Sequence, residues 1–521
     1  KTAIVETLLT DVLVRRSSWS KIIFLSRPRR FGKTLLLSVL NYIFDNNLAL
    51  FKKYHIYKFL NGQKKLWKNN KILYFDFEKY RGGDPATKFR DTLLDDVLEH
   101  AKTSFKLDET DKKSISTAFS KTIKGIANID KKNVIVLVDE YDSPFLFAGS
   151  DEDRNATLEY THDFFSGLKM ASGFITFGFI TGCSRIVSKE MFTGTNMIQD
   201  ISVDDRFSKI LGFTRAEIDV HYGKAIETLR NTFTPPITTE EIDGNLKEWY
   251  DGYRFESLVT DEPIYNPISL IGYLKGLMHR IREPKKYWAE TAEHSSLIRK
   301  LVVDFPAQLV LMLSEYKLVS LSCIDFLKLK EREMDQLIKI MYQAGYLTIK
   351  AYIHPKAHSS PEYLVGLTNK ECELAIMETL DEQLSKNTGV SSTALRYHLD
   401  KYDSKGFIEA LKKVLEHPEE LETFYEEYIA FLLDGYDYEK AKEKRQRKLE
   451  NGTSKKMDYI YSNDDCDIIF EFKIHTNSED GLKECEEKYL EKYMNKTTKD
   501  VACFGIKFKK AEKKNYDNGY L

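Results

Sequence analysis

Residues Lys21–Leu37 read KIIFLSRPRRFGKTLLL. An apolar, β-rich run (Ile22, Ile23, Phe24, Leu25) feeds a basic turn. Gly32-Lys33-Thr34 then opens a second apolar run at helical spacing: Leu35, Leu36, Val39, Leu40 and Ile43. Strand, loop and helix in that order suit a phosphate-binding loop. Backbone N–H groups at a helix N-terminus point at an anion, and the helix dipole favours negative charge there. Arg29, Arg30, Phe31 and Gly32 would supply the loop backbone. Lys33 would reach the terminal phosphates of a nucleotide, and the Thr34 hydroxyl would ligate Mg²⁺. The full loop pattern has Gly where Arg27 stands, and a bare GKT recurs by chance. The flanking strand and helix give it weight.

A second piece follows at Asn133–Pro144, NVIVLVDEYDSP. Five consecutive apolar residues followed by acids read as a buried parallel strand, whose C-terminal end is where such sheets place ligands. Asp139 would hold the Mg²⁺, and Glu140 would polarise the attacking water. The plainer alternative is a core strand ending in a solvated acidic turn. The GKT loop upstream favours the site. A third strand, Phe174–Thr181, ends in Gly182-Cys183-Ser184-Arg185. Thr181 and Ser184 are candidates for touching the γ-phosphate, and Arg185 for a transition-state cation.

RPRRFGKT, VDEYDSP, FITGCSRIVSKEMFTGTNMIQDISVDDRFSKILGFT, WYDGYRF and IYNPISL together resemble the AAA-ATPase-like domain family of mobile-element-associated proteins. The resemblance covers most of the chain. It implies ATP and Mg²⁺ as cofactors and a PD-(D/E)XK nuclease-like domain at the C-terminus. It also implies Arg at the position of Arg27.

A chain of 521 residues exceeds one core and suggests roughly two to four domains. Apolar content of 42% with a net charge of −2 fits packed domains, so any polyanion-binding surface must be local. Six scattered cysteines without a CxxC pair suit a reducing compartment and argue against a disulfide framework or a zinc site. The apolar runs are too short for a membrane span, and no signal peptide is visible, which points to the cytoplasm. The chain starts at Lys1, and the resemblance implies a short preceding segment.

The expected architecture is α/β. Residues 1–215 form a three-layer P-loop NTPase domain, since strands alternate with helices. Residues 216–385 form a helical, winged-helix-like region. Its aromatic cluster, Trp249 to Phe255, resembles the family's lid, although packing is the simpler role; Arg254 is the residue there to test. Gly389 to Asp403 is the expected linker. Residues 386–521 form a restriction-endonuclease-like α/β domain. There Asp467–Lys473, DIIFEFK, follows Asp458 across a hairpin. Alternation puts Glu471 and Lys473 on one face. Asp458 and Glu471 would form a hard oxygen site for Mg²⁺, and Lys473 would activate water beside a phosphodiester. This Asp…Glu-x-Lys order resembles the PD-(D/E)XK nucleases, with Met457 in place of the usual Pro. Glu484 stands where the family often has Gln, and Glu426 could add a ligand; both roles are open. His475 is the histidine to watch. Cations concentrated from Lys442 to Lys456 and from Lys507 to Lys514 would bind phosphate backbone without base selectivity.

Two functions compete. One is an ATPase coupled to a Mg²⁺-dependent nuclease acting on nucleic acid, with DNA the expected form. The other is a nucleotide-switched interaction protein whose C-terminal fold binds nucleic acid or protein without cutting. A homo-oligomer is compatible with either, and the residues alone do not separate ATP from GTP.

Overall fold

Strand β1 (Ile22–Ser26) is buried along its whole length, because IIFLS offers an apolar side chain to each face of the sheet. The computed structural model describes residues 1–15, 20–80, 85–101, 107–146, 151–185, 197–256, 262–290, 299, 301–302, 309, 317–319, 334–353, 362–401, 403–414, 433, 459–462, 466–473, 483, 487 and 500–507. They divide into two compact units, Lys1–Trp288 with Tyr316–Cys372, and Ala289–Glu315 with Glu373–Leu521.

In the first unit, helix α1 (Thr2–Leu9) precedes β1, and α2 (Lys33–Phe44) follows the loop. After α3 (Tyr57–Gly62) come β2 (Asn70–Asp76), α4 (Pro85–Ala101), α5 (Ile115–Asn128) and β3 (Asn133–Asp139). The short α6 (Ser143–Leu146) and α7 (Asp151–Met170) lead to β4 (Ile175–Gly182) and β5 (Ile198–Asp200). The sheet order is β2-β3-β4-β1-β5, and every pairing is parallel. The C-terminal ends of β1, β3 and β4 therefore share one sheet edge, with β4 between the other two.

Alternation along the strands divides the core. Phe24, Phe75, Val134, Val136 and Val138 pack with α4, α5 and α7 in one cluster, where Phe119 and Phe164 stack at 4.4 Å. On the other face α2 packs against β2, β3 and β4, and Phe44 meets Phe177 at 4.9 Å. Helices on both faces of a parallel sheet make the three-layer α/β arrangement consistent with a P-loop NTPase-like domain.

Past this sheet, three helices pack through a second core that includes Ile218, Leu246 and Tyr273. Each start is sealed by its own sequence. Thr214 and Glu217 form a capping box on Arg215–Arg230, Thr238 caps Thr239–Tyr250, and Asn266 caps Pro267–Met278 with proline at the first turn. Strands β6 (Lys317–Val319), β7 (Leu347–Ile353) and β8 (Glu362–Leu367) form an antiparallel sheet in the order β6-β8-β7, beside the helix Met334–Ala344.

The second unit holds helices Ser392–Asp400 and Ser404–Val414 and strands β9 (Tyr459–Ser462), β10 (Cys466–Lys473) and β11 (Asp500–Lys507). β10 pairs antiparallel with β9 and parallel with β11. The stretch expected as a linker, Gly389 to Asp403, instead carries a helix. Ser391 accepts the Ala394 N–H as its cap, and Leu395 and Leu399, one turn apart, are buried. Cys183 and Cys372 are free thiols, whereas Cys503 is disulfide-bonded, which the scattered cysteine spacing did not indicate. No helix among the described residues is long and apolar enough to cross a membrane.

Candidate functional site

The turn after β1 is shaped by Gly32, whose φ of +95° lies in the left-handed region as it caps α2. Arg30 also takes a positive φ, 65°. Lys33, the first residue of α2, is buried and donates to the carbonyls of Arg27 and Pro28 at 3.1 and 3.2 Å. Its Nζ lies 3.2 Å from Cys183 Sγ and 3.2 Å from Glu140 Oε1. Burial works against the ammonium, but Cys183 and Glu140 outweigh it and hold the lysine above its ordinary pKa.

β3 delivers the acids. Asp139 is buried, with the Thr34 hydroxyl beside its carboxylate favouring the charged form and the Tyr74 hydroxyl 3.4 Å away. Burial pushes the Asp139 carboxyl up to about 6. Glu140 follows at φ 48°, an unusual conformation for a side-chain-bearing residue. Burial alone would raise its carboxyl, yet the cations Lys33 and Arg29 hold it below the usual range. The Cys183 thiol, itself pushed up by burial, donates to Glu140 Oε2 at 3.4 Å. Lys33, Thr34, Asp139, Glu140 and Cys183 thus meet at the C-terminal edge of the sheet. Two carboxylates and a hydroxyl beside a buried ammonium can hold a divalent cation and a phosphate together.

The other candidates sit differently. The Thr181 hydroxyl is fully buried at the tip of β4 and has no hydrogen-bond partner among the described residues. Ser184 turns its hydroxyl to Asp142, and Arg185 pairs with Asp200 at 2.6 Å. Arg30 is exposed. Phe31 is buried between Tyr253 at 4.9 Å and Phe255 at 5.5 Å. Arg27, in the place of the usual glycine, is a buried strut. It donates to the carbonyls of Ser26, Ser202 and Phe207, lies 4.2 Å over the Phe255 ring, and is lowered to about 10 by burial. Arg254 is paired with Glu256 at 3.1 Å.

Two residues near the site escaped the sequence reading. Asp142 accepts the Cys183 and Ser184 N–H groups at 3.1 and 2.6 Å, and burial raises its carboxyl. It is the third acid of VDEYDSP, where an extra carboxylate was the available signal. Cys183 had no signal beyond its place after a strand.

In the second unit, β9 and β10 pair through Tyr459 and Phe470. Glu471 and Lys473 belong to β10, but only their backbone is described. Asp458, Glu426, Glu484, His475 and the basic stretch from Lys442 to Lys456 lie outside the described residues. Among the described residues no group of three or more His, Cys, Asp or Glu could hold a metal ion.

The chain is similar to a protein described as an uncharacterized protein in the vnfD 5′ region of Azotobacter chroococcum mcd 1. The two are 26% identical over 363 residues, 68% of this chain and 62% of that relative. The chain thus spans under two thirds of the relative it matches. Residues 7–192, which contain the loop, β3 and β4, match the family model described as a predicted AAA-ATPase.

Proposed function

We propose that the site around Lys33 binds ATP with Mg²⁺ and hydrolyses it. The meeting of two separate motifs carries this reading: Lys33 from the loop lies 3.2 Å from Glu140, the residue after β3, with Thr34 beside Asp139. Lys33 binds the β- and γ-phosphates in exchange for its loop carbonyls. Thr34 and Asp139 are the oxygen donors suited to Mg²⁺, and the adjacency of an exposed hydroxyl and a buried carboxylate fits that ion. Mg²⁺, when bound, would neutralise charge developing on the transferred phosphoryl group. Glu140, released from Lys33, orients the attacking water and takes its proton. Thr181, with its unused hydroxyl, is the β4 residue best suited to the γ-phosphate. Phosphate release from ATP by the wild type, lost in Lys33→Ala and Glu140→Gln, is the test; equal turnover in all three proteins would reject it.

The C-terminal unit is proposed to carry a Mg²⁺-dependent nuclease-like site of Asp458, Glu471 and Lys473. The support is a hairpin-plus-parallel-strand sheet whose β9–β10 ladder includes Tyr459 and Phe470; their chain neighbours are Asp458 and Glu471. Labelled DNA and RNA incubated with the full chain, Mg²⁺ and ATP should be cut by wild type and not by Asp458→Ala. Binding without cutting by the wild type would favour the nucleotide-switched interaction protein.

A further inference from the structure

The first half of the phosphate loop is held from outside the parallel sheet. Trp288 is fully buried, and its indole N–H donates to the Arg29 carbonyl at 3.0 Å. Gly345, at φ +95°, lets Pro28 approach closely. A Cβ there would lie 2.9 Å from Pro28 Cβ and 3.3 Å from Trp288 Cζ2. Trp288 is itself pinned. Its backbone N–H and that of Tyr287 donate to Glu371 Oε1 at 2.7 and 2.5 Å, and Glu371 Oε2 accepts the Ser269 hydroxyl at 2.6 Å. Tyr346 packs on the indole with ring centres 5.2 Å apart.

This contact fixes more than a carbonyl. The Arg29 C=O and the Arg30 N–H are opposite ends of one planar trans peptide. Holding the carbonyl toward Trp288 turns the Arg30 N–H the other way. A phosphate loop works by presenting such N–H groups in fixed directions, and glycine-poor Arg27–Phe31 needs an external support to hold that orientation.

We propose that Trp288 is a positioning residue for the phosphate loop. Acting through the Arg29 carbonyl, it sets the Arg30 N–H for the nucleotide phosphates. The inference rests on the nucleotide-binding reading of the Lys33 site. It extends the functional machinery to a residue beyond 7–192.

Trp288→Phe keeps an aromatic ring, removes the donor and leaves a smaller side chain in the buried site. Titration of the full chain with ATP and Mg²⁺ should show affinity about tenfold weaker, the scale of one directed hydrogen bond, measured well below the unfolding temperature. Wild-type tryptophan emission should change on nucleotide addition, and that response should vanish in Trp288→Phe while persisting in Trp67→Phe. A merely structural role would lower the unfolding temperature and leave the affinity of the folded protein unchanged. Wild-type affinity and emission response in Trp288→Phe would overturn the proposal. If that variant does not fold, Gly345→Ala, which wedges Pro28 from Trp288, should weaken binding similarly, and unchanged affinity there would overturn it. Lys33→Ala separates the two ideas. If it binds as wild type does, the nucleotide site itself is wrong. If it loses binding while Trp288→Phe does not, only the positioning role fails.

Discussion

Glu140 Oε1 stands 3.2 Å from Lys33 Nζ, one residue after the third strand and the other after the loop of the first. The carboxylate thus engages the cation that the proposed nucleotide site would offer to a phosphate. On the proposed reading, phosphate binding at Lys33 would free Glu140 to orient water.

Replacing Glu140 with Gln keeps the shape and removes the charge. ATP hydrolysis should fall on the order of 10²-fold or more, the scale of a lost general base, while nucleotide stays bound. Single-turnover phosphate release with a binding assay on the same protein checks this. Unchanged turnover would assign the water to another group.

Asp139 predicts a pH effect on stability in metal-free buffer. Burial raises its carboxyl from about 3.8 to about 6. Between those values the native state binds more protons than the unfolded chain, so this group's contribution to stability falls as pH rises through that window. The cost above it is roughly 3 kcal/mol. Asp139→Asn should therefore gain on wild type progressively from about pH 4 to about pH 6 and stay level above. Denaturant unfolding at several pH values measures it, and a pH-independent difference would contradict it.

Asp142 is expected to hold the turn after β4 in place. Asp142→Ala would strip the Cys183 and Ser184 N–H groups of their buried acceptor, at a cost of about 2–4 kcal/mol. Calorimetric unfolding would show a lowered midpoint for the transition of the first unit. A midpoint equal to wild type would mean the turn is held elsewhere.

Much of this was legible because the deciding signals are local. IIFLS, NVIVLVD and ITFGFITG announce buried strands by their unbroken apolar character, and GKT at a helix start marks the loop. The order of strands was not legible in the same way, since β4 enters between β1 and β3 through long-range pairing. The three-residue strands β5 and β6 are too short for periodicity to show. The helix Ser392–Asp400 falls within the expected linker Gly389 to Asp403, where Ser391 is its cap. Trp288 lies far from the loop in sequence, so its hydrogen bond to Arg29 has no local signature. Arg27 shows the same limit: its buried strut role depends on Ser202, Phe207 and Phe255, none of them its neighbours in the chain.

The central claim is that Lys33 is the phosphate-binding cation of an ATP site. Isothermal titration of Lys33→Ala with ATP and Mg²⁺, beside the wild type, tests it most directly. The expected result is measurable binding by the wild type and none by the variant, with both proteins folded by circular dichroism. Equal affinity in the two would contradict the account.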